Sequence, residues 1–262
     1  ITMKKCALHS LGCKVNSYET QAMQKMMESA GYEIVPFGEE IADIYIINTC
    51  SVTNIADRKS RQMIHKAKKL NPEAVVAAAG CYVESAGDNI DEDVDIVIGN
   101  NEKSHLIEIL NEYFEHMDKE KSVDIGKATD FDELNIDSPL EHTRAYVKIQ
   151  DGCNRFCSYC IIPYVRGRIR SRKPDDVMAE IKRVAASGCK EVVLTGIHLS
   201  SYGLDFKDST VKLIDVIEAV NRIEGIERIR LGSLEPLIVT EEFVRRLAKC
   251  KKICPHFHLS LQ

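Results

Sequence analysis

The chain has 262 residues, of which 44% are hydrophobic and 29% are charged. That length suffices for one large domain or two of ordinary size, and the composition excludes a disordered or fibrous protein. Thirty-five lysines and arginines against 40 acidic residues give a formal charge of −5, which by itself indicates no polyanionic partner. Eight acidic residues and only three lysines fall between residues 118 and 142, so the rest of the chain is balanced.

The cysteine content points to metal binding. No apolar run approaches the ~18 residues that a bilayer span requires, and lysines at positions 4, 5 and 14 interrupt the N-terminus before a signal-peptide core could form. We therefore expect a cytoplasmic protein with no membrane partner. Ten cysteines are hard to explain as disulfides in a reducing compartment, and a chain of this length can already build a proper core.

Short β-rich runs alternate with segments of helical period through the first 117 residues. The predicted strands are 6–10, 43–48, 74–79 and 94–98, and the predicted helices are 17–30, 55–70 and 103–114. The first helix is expected to begin with a capping box formed by Asn16 and Glu19 and to end at Gly31. This alternation predicts an open doubly wound α/β domain with a parallel sheet over residues 1–117.

An acidic stretch separates this domain from the second half of the chain. Residues 118–143 contain few large apolar side chains and no persistent period, so we interpret them as a linker. The later predicted strands are 145–149, 191–194, 226–231 and 257–261, and the later predicted helices are 174–187, 211–223 and 241–249. Right-handed units of this kind build an open sheet or begin to close a barrel. Residues 144–262 are about half the length of an eight-unit barrel, so we expect a barrel that is incomplete at its C-terminus.

Three cysteines follow the strand at 145–149 closely, in the spacing Cys153-x3-Cys157-x2-Cys160. Three thiolates on one loop can hold three corners of a cubane cluster and leave the fourth iron without a protein ligand. An open iron is useful where an exchangeable, amino-acid-like ligand chelates it. Ferredoxin motifs use a tighter spacing with a fourth cysteine, and zinc sites usually come as two pairs. The alternative is a structural zinc ion or three unrelated buried thiols.

Three further cysteines are dispersed but similarly placed. Cys13, Cys50 and Cys81 each come just after the carboxyl end of a predicted strand. Because parallel strands end at the same edge of a sheet, where open α/β sheets bind ligands, we expect these thiols to converge. Gly12 and Gly80 precede two of them and permit the close approach of a bulky ligand. Singly, each cysteine is more typical of a small core residue, but the repeated placement predicts a second three-cysteine cluster.

These motifs resemble those of the radical S-adenosylmethionine methylthiotransferases. The resemblance covers the whole chain through Gly12-Cys13-Lys14-Val15-Asn16, Asn48-Thr49-Cys50-Ser51-Val52-Thr53, Gly80-Cys81, 152–160, Thr195-Gly196-Ile197-His198, Gly232-Ser233-Leu234-Glu235-Pro236 and Leu259-Ser260-Leu261-Gln262. Six cysteines in two triplets are highly specific to that family. The residues around the first two cysteines are most like the MtaB branch, which acts on N6-threonylcarbamoyladenosine beside the tRNA anticodon.

The resemblance implies a transferase whose cofactors are two 4Fe–4S clusters and S-adenosylmethionine. An N-terminal methylthiotransferase domain would hold the auxiliary cluster, and an incomplete radical S-adenosylmethionine domain at 144–262 would hold the other. The implied metal ligands are Cys13, Cys50 and Cys81 for the first, and Cys153, Cys157 and Cys160 for the second. One S-adenosylmethionine would methylate a sulfur on the auxiliary cluster, and another would yield the radical that takes hydrogen from adenine C2. Tyr159, Gly196 and Glu235 would help to bind S-adenosylmethionine, although Glu235 could equally be a helix cap or a rim carboxylate.

The implied partners are the anticodon arm of a tRNA, an electron donor and a sulfur source. Residues 152–174 contain no acid and six basic residues that could bind RNA phosphates. These are Arg155, Arg166, Arg168, Arg170, Arg172 and Lys173. A second basic run, on the helix at 55–70, could extend that surface. Each run alone is more typical of a solvated face, and only the resemblance favours RNA for the first.

Other functions remain open at the level of sequence. A related methylthiotransferase could modify isopentenyladenosine in tRNA or a ribosomal-protein aspartate. A protein of another class, a non-catalytic electron-transfer protein with two iron–sulfur clusters, would need four ligands per cluster and no S-adenosylmethionine pocket. We interpret Cys6, Cys189, Cys250 and Cys254 as ordinary thiols. His198, in a loop after a strand, could be a site residue but is more typical of a surface histidine.

Overall fold

The computed structural model describes residues 4–116, 130–137, 143–207 and 210–261. The chain forms two compact units, and the first comprises residues 1–128 together with 155–167. The second comprises residues 129–154 and 168–262. No helix among the described residues combines the length and the apolar character needed to cross a bilayer.

Five parallel strands form the sheet of the first unit. Its elements are β1 (Lys5–Ser10), α1 (Lys14–Ser29), β2 (Glu33–Ile34), β3 (Ile44–Thr49), α2 (Asn54–Leu70), β4 (Val75–Gly80), α3 (Cys81–Ala86), β5 (Ile96–Ile98), α4 (Leu106–His116) and α5 (Ile162–Val165). The strand order is β2-β1-β3-β4-β5. The order reverses between β1 and β3, so this is the doubly wound arrangement that the sequence predicted.

Helices cover both faces of that sheet. Met23 and Met27 of α1 and Leu110 of α4 pack with alternate strand residues on one face. Ile64 and Ala67 of α2 pack with the other set of strand residues on the opposite face. The strands are therefore buried from both sides, which explains why they are continuous apolar runs and do not alternate with polar residues.

The start of the first helix differs from the prediction. Helix α1 begins at Lys14, directly after Cys13, and the predicted capping box is wrong because Asn16 and Glu19 are both buried inside the helix. The Asn16 amide nitrogen donates to the carbonyl oxygen of Leu11 at 2.7 Å and to that of Thr49 at 2.8 Å. Asn16 thus binds the ends of two strands, whereas a capping residue would bind the backbone of its own helix.

The second unit contains three parallel strands and one short antiparallel strand. Its elements are β6 (Ala145–Asp151), β7 (Arg170–Ser171), α6 (Pro174–Ala186), β8 (Glu191–Gly196), α7 (Leu213–Asn221), β9 (Arg228–Leu231) and α8 (Glu241–Leu247). The strand order is β7-β6-β8-β9, and β6, β8 and β9 run parallel. The parallel strands alternate with helices, as in the first units of a βα barrel.

The predicted last strand at 257–261 is wrong. The structure has only an isolated bridge there, between Leu234 and Leu259. Leu259 is 41% exposed and Leu261 is 87% exposed. An alternating pattern forms a strand only where a neighbouring strand supplies a continuous ladder, and the described residues supply one contact.

Residues 130–137, in the segment predicted to be an acidic linker, pack within the second unit. Leu134 and Ile136 are buried. The Ile136 backbone N–H donates to Glu180 of α6 at 3.1 Å, and Glu133 pairs with Arg172 at 2.8 Å. The other parts of that segment, 118–129 and 138–142, lie outside the described residues.

Candidate functional site

The three dispersed cysteines lie at one edge of the sheet in the first unit. β1, β3 and β4 are neighbours, and their register brings their carboxyl ends level. Cys13 is the residue before α1, Cys50 follows β3, and Cys81 is the first residue of α3. The structure therefore brings all three to the edge where parallel strands and helix N-termini meet.

Two glycines allow the chain to approach Cys50 closely. Gly12 and Gly80 both have a φ of +96°, a left-handed conformation that only glycine adopts without strain. A Cβ on Gly12 would lie 2.8 Å from the Cys50 sulfur, and a Cβ on Gly80 would lie 2.4 Å from the Thr49 carbonyl oxygen. A side chain at either position would displace Cys50 or the strand end that carries it.

The thiol of Cys50 responds electrostatically to both other cysteines. Burial raises the pKa of the Cys50 thiol, and a hydrogen bond from the Val52 backbone N–H lowers it. The thiols of Cys81 and Cys13 raise this pKa further, and the Arg166 guanidinium lowers it. Three thiolates this close repel one another, so a bound cationic centre would stabilise all three.

The donor set at this edge suits an iron–sulfur cluster, because three thiolates can hold three irons of a cubane. Elsewhere among the described residues, the ligand atoms of His65, Asp91 and Asp93 lie within 4.8 Å of one another. Beside Cys50, the buried Ser51 hydroxyl has no hydrogen-bond partner among the described residues and is a donor for an anionic sulfur. The residues present therefore fit a three-cysteine iron–sulfur cluster.

The loop with Cys157 and Cys160 belongs to the first unit. The Cys160 N–H donates to the Cys157 carbonyl oxygen at 2.9 Å, which closes a tight turn. Phe156 has a φ of +49° and is the only non-glycine residue with positive φ in the described chain, so the backbone is strained directly before this turn. Tyr159 lies beside Cys157. Desolvation and this neighbouring thiol raise the pKa of the Tyr159 hydroxyl, and its side chain is 71% exposed. Both thiols and the ring remain accessible to a small ligand.

The second unit places Gly196 and Glu235 in one hydrogen-bonded group at the ends of its strands. A Cβ on Gly196 would lie 2.9 Å from Gln150 Oε1 and 3.0 Å from the Gln150 carbonyl oxygen. That Oε1 accepts the His198 backbone N–H at 2.7 Å, and His198 Nε2 lies 3.2 Å from Glu235 Oε2. Cys153, buried just after β6, belongs to this unit. Gly196 thus leaves room for the Gln150 amide, and the amide fixes the loop that holds Glu235.

Two family models match most of the chain. Residues 5–99 match a family described as "Uncharacterized protein family UPF0004", and residues 147–262 match the "Radical SAM superfamily". The first stretch contains Cys13, Cys50 and Cys81. The second contains Cys153, Cys157 and Cys160.

Curated relatives match over nearly the whole chain. A threonylcarbamoyladenosine tRNA methylthiotransferase MtaB from Bacillus subtilis is 42% identical over 99% of this chain and 58% of its own length. The MtaB protein of Aquifex aeolicus is 43% identical over 98% of this chain and 63% of its own length. Over nearly its whole length, the chain is similar to radical S-adenosylmethionine methylthiotransferases. A tRNA-2-methylthio-N(6)-dimethylallyladenosine synthase from Clostridium botulinum is 34% identical over 100% of this chain and 59% of its own length. The chain therefore spans about three fifths of the length of these relatives.

Solved structures of other radical S-adenosylmethionine enzymes share the fold. TsrM from Kitasatospora setae, described as a radical S-adenosylmethionine methyltransferase, superposes with a TM-score of 0.65 at 12% identity, over 98% of this chain and 59% of its own. This likeness confirms the predicted fold class, an α/β sheet domain followed by a partial barrel. The family match also confirms the predicted cofactor classes, S-adenosylmethionine and 4Fe–4S clusters.

Half of the basic residues at 152–174 do not face solvent. Arg166, Arg170 and Arg172 are buried, and each lies near an acid of its own unit. The acids are Glu19 for Arg166, Asp151 for Arg170 and Glu180 for Arg172. The exposed cations of the stretch are Arg155, Arg168 and Lys173. The idea that the whole stretch binds phosphate is therefore wrong for its three buried arginines.

Helix α2 presents a longer basic surface to solvent. The helix carries six basic residues and one acid. Helical periodicity places five exposed residues on adjacent stripes, which we call the α2 basic face. They are Ile55, Arg58, Lys59, Lys66 and Lys69. Within the described chain, Arg58, Lys59 and Lys69 have no acidic partner, so these charges are available to a ligand.

His198 is less exposed than the surface histidine that its residue type favoured. Its side chain is largely buried between two partners. Its Nε2 faces Glu235 and its Nδ1 hydrogen-bonds the Ser201 hydroxyl. The available signal was position, because His198 follows Gly196 at the carboxyl end of a parallel strand, where barrel sites form.

Proposed function

We propose that this protein modifies tRNA by adding a methylthio group to C2 of N6-threonylcarbamoyladenosine next to the anticodon. The nucleoside is suggested by the names of the relatives with the highest identity, and the reaction by the family. The observation that carries the proposal is the convergence of Cys13, Cys50 and Cys81 on one sheet edge, in a chain that also has the Cys153, Cys157 and Cys160 loop. A protein of this family needs both sets.

Each cysteine triplet would bind one 4Fe–4S cluster, and one iron of the second cluster would be open to S-adenosylmethionine. When bound, these cofactors supply radical and sulfur-transfer chemistry at an aromatic C–H bond, which no acid–base side chain can attack. The protein then has to orient the ligands and exclude water.

Three residues would position S-adenosylmethionine. Tyr159 offers an exposed aromatic ring beside Cys157. Gly196 keeps the space at the end of β8 free of a side chain. Glu235, held by His198 at 3.2 Å, offers a carboxylate oxygen to a hydroxyl or ammonium group.

The remaining partners follow from the reaction. RNA phosphates would bind the α2 basic face, whose exposed cations match a polyanion. An electron donor must reduce the radical cluster, and a sulfur source must resupply the transferred sulfur. Because tRNA is modified in the cytoplasm, that is the compartment we propose.

The nucleoside is tested by mass spectrometry of tRNA from cells with and without the gene. We expect 2-methylthio-N6-threonylcarbamoyladenosine to disappear with the gene while its unmodified parent accumulates. Loss of the methylthio form of isopentenyladenosine would identify the other tRNA branch. An unchanged tRNA profile, with a changed ribosomal-protein mass, would overturn the tRNA assignment.

The two clusters are tested by cysteine variants of anaerobically reconstituted protein. We expect about eight irons per chain, about half of that in the Cys153→Ala, Cys157→Ala, Cys160→Ala triple variant, and no S-adenosylmethionine cleavage by that variant. Cys50→Ala should retain cleavage and lose sulfur transfer. The matched control is Cys189→Ala, which removes a buried thiol of the second unit and should keep all the iron. A protein that binds no S-adenosylmethionine at an open iron would instead be an electron carrier.

A further inference from the structure

A buried ionic network lies beside the auxiliary cysteines. Arg166, Glu19 and Lys103 are all fully buried, and all belong to the first unit. Arg166 Nη1 donates to Glu19 Oε1 at 2.7 Å, and Lys103 Nζ donates to Glu19 Oε2 at 2.8 Å. One carboxylate of α1 therefore bridges a cation from the cysteine loop and a cation that follows β5.

Two asparagines extend this network to the chain around the cysteines. Arg166 Nη2 donates to Asn16 Oδ1 at 2.6 Å, and the Asn16 amide nitrogen donates to the Thr49 carbonyl oxygen, directly before Cys50. Asn100 Oδ1 accepts from the Lys103 ammonium at 2.7 Å. The Asn100 amide nitrogen donates to the Val165 carbonyl oxygen at 2.6 Å and lies 4.0 Å from the Cys81 sulfur. The network thus connects the loop 155–167 with the residues that present the thiols.

The two buried cations of this network favour an anion at the cysteine edge. Two buried cations surround Glu19, and burial is expensive for any charge that is not compensated. A further carboxyl of the first unit, that of Glu84, accepts the Asn100 backbone N–H at 2.6 Å. Burial raises the pKa of Glu84, so its negative charge is disfavoured there. A cluster held by three thiolates is anionic, so these buried cations would stabilise it.

We propose that Arg166 is a positioning residue for the auxiliary cluster. It fastens the loop of Cys157 and Cys160 to α1, and its guanidinium charge makes the cluster at Cys13, Cys50 and Cys81 easier to reduce. The proposal rests on the proposed function, because it assumes that this edge binds an iron–sulfur cluster. Arginine is required because a planar fork can bind Glu19 and Asn16 at once, whereas lysine offers a single point charge.

The electrostatic part is tested by redox titration of the auxiliary cluster alone. The Cys153→Ala, Cys157→Ala, Cys160→Ala protein, reconstituted anaerobically, supplies that cluster, and electron paramagnetic resonance follows its reduction. Arg166→Gln should lower the equilibrium constant for one-electron reduction about tenfold, which corresponds to about 59 mV toward more negative potential. Arg166→Lys should keep the potential near that of the parent. An unchanged potential in Arg166→Gln would overturn this part.

The anchoring part is tested by hydrogen exchange in the protein with all its cysteines and no iron. Amides at 155–167 should exchange faster in both Arg166→Lys and Arg166→Gln, because neither side chain can bridge Glu19 and Asn16. This measurement does not depend on a bound cluster. Unchanged protection of the loop in both variants would overturn the anchoring role.

Two further variants separate these effects from general loss of stability. Arg172→Gln removes another fully buried arginine, paired with Glu180 in the second unit, and should leave both the potential and the loop exchange unchanged. Lys103→Gln removes the other cation at Glu19 but keeps the contacts of Arg166, so it should lower the potential without loosening the loop. If Arg166→Gln does not fold, Lys103→Gln still tests the electrostatic part.

A shift of the potential in Arg172→Gln equal to that in Arg166→Gln would overturn the proposal. If the parent holds no iron at this edge, the proposed function fails, whereas iron with an unmoved potential refutes only the role of Arg166.

Discussion

At the scale of single residues, Gly12 controls the space around Cys50. A methyl group at Gly12 would lie 2.8 Å from the Cys50 sulfur, and its φ of +96° would strain any other residue by about 1–2 kcal/mol. We expect Gly12→Ala to displace this thiol and to lose up to about half of the iron of the reconstituted protein. Iron content per chain and the free energy of unfolding in urea measure the two effects.

Gly31 is the matched control for this substitution. It has a φ of +87°, and nothing lies within 4 Å of the Cβ it would gain. Gly31→Ala should therefore cost about the same 1–2 kcal/mol of backbone strain and keep all the iron. Equal iron in both variants would show that the space beside Cys50 is not needed.

Cys6 makes the first unit sensitive to alkali. Its thiol is fully buried under α1, and burial raises its pKa to about 12, while a thiol in the unfolded chain ionises near pH ~8.5. Between these values the unfolded state has lost the proton and the folded state retains it, so stability falls as pH rises by about 1.4 kcal/mol per unit. Cys6→Ala should be less stable at pH 7 but should lose this slope. Urea unfolding of the two reduced proteins from pH 7 to 11 measures this pH dependence. If the free energy of unfolding fell equally with pH in both proteins, the role of Cys6 would be contradicted.

Single residues of the candidate site were predictable from the sequence where their position next to a strand determines where they lie in the fold. Cys13, Cys50 and Cys81 could be identified because each follows a strand, and parallel strands end at one edge. Asn16 and Glu19 could not be separated from a capping box, because both readings use the same residue types near a helix start. Their spacing to Met23 places them on the buried stripe of α1, which is the signal that was overlooked.

At the scale of elements, α2 provides the surface for the RNA. Arg58→Gln, Lys59→Gln and Lys69→Gln together remove three exposed cations without acidic partners in the described chain. Each phosphate contact contributes about one to the dependence of log K on log salt, so we expect the triple variant to bind tRNA more weakly and with a slope reduced by about 2 to 3. Binding of an anticodon stem-loop at several salt concentrations measures this.

A second triple variant removes the same charge elsewhere. Lys182→Gln, Lys249→Gln and Lys251→Gln change three exposed lysines of the second unit. They should leave the salt slope within experimental error of the parent. If the two triple variants lose affinity equally, net charge and not α2 governs binding.

The elements themselves were predicted best where they are long and buried. The continuous apolar runs of β1, β3 and β4 were found nearly in full, since strands covered on both faces need no alternation. The two-residue strand β2 and the short helix α3 carry too little pattern to be recognised. The pattern at 257–261 failed for the opposite reason, because alternation alone cannot show whether a neighbouring strand is present.

At the scale of the molecule, the loop 155–167 packs in the first unit although the rest of that unit lies far away in sequence. The loop 155–167 lies between two stretches of the second unit but packs in the first. Its ties are long-range, since Arg166 binds Glu19 and Val165 binds Asn100. Composition and periodicity are local properties, so no sequence pattern in the loop indicated that its partners precede it by so many residues.

These ties predict how the first unit behaves without the loop. A protein of residues 1–128 lacks Arg166 and Val165, so it loses the guanidinium that binds buried Glu19 and the carbonyl that binds Asn100. Removing one partner of a buried ion pair costs about 3–5 kcal/mol, so amides of β3 and β4 should exchange faster in 1–128 than in the whole chain. A synthetic peptide of residues 155–167 should restore protection as its concentration rises, by mass action, and a peptide with Arg166→Gln should restore less. If these amides were equally protected in 1–128 and in the whole chain, the sheet and helices would stabilise the first unit without the loop. The loop 155–167 would then contribute nothing to the stability of that unit.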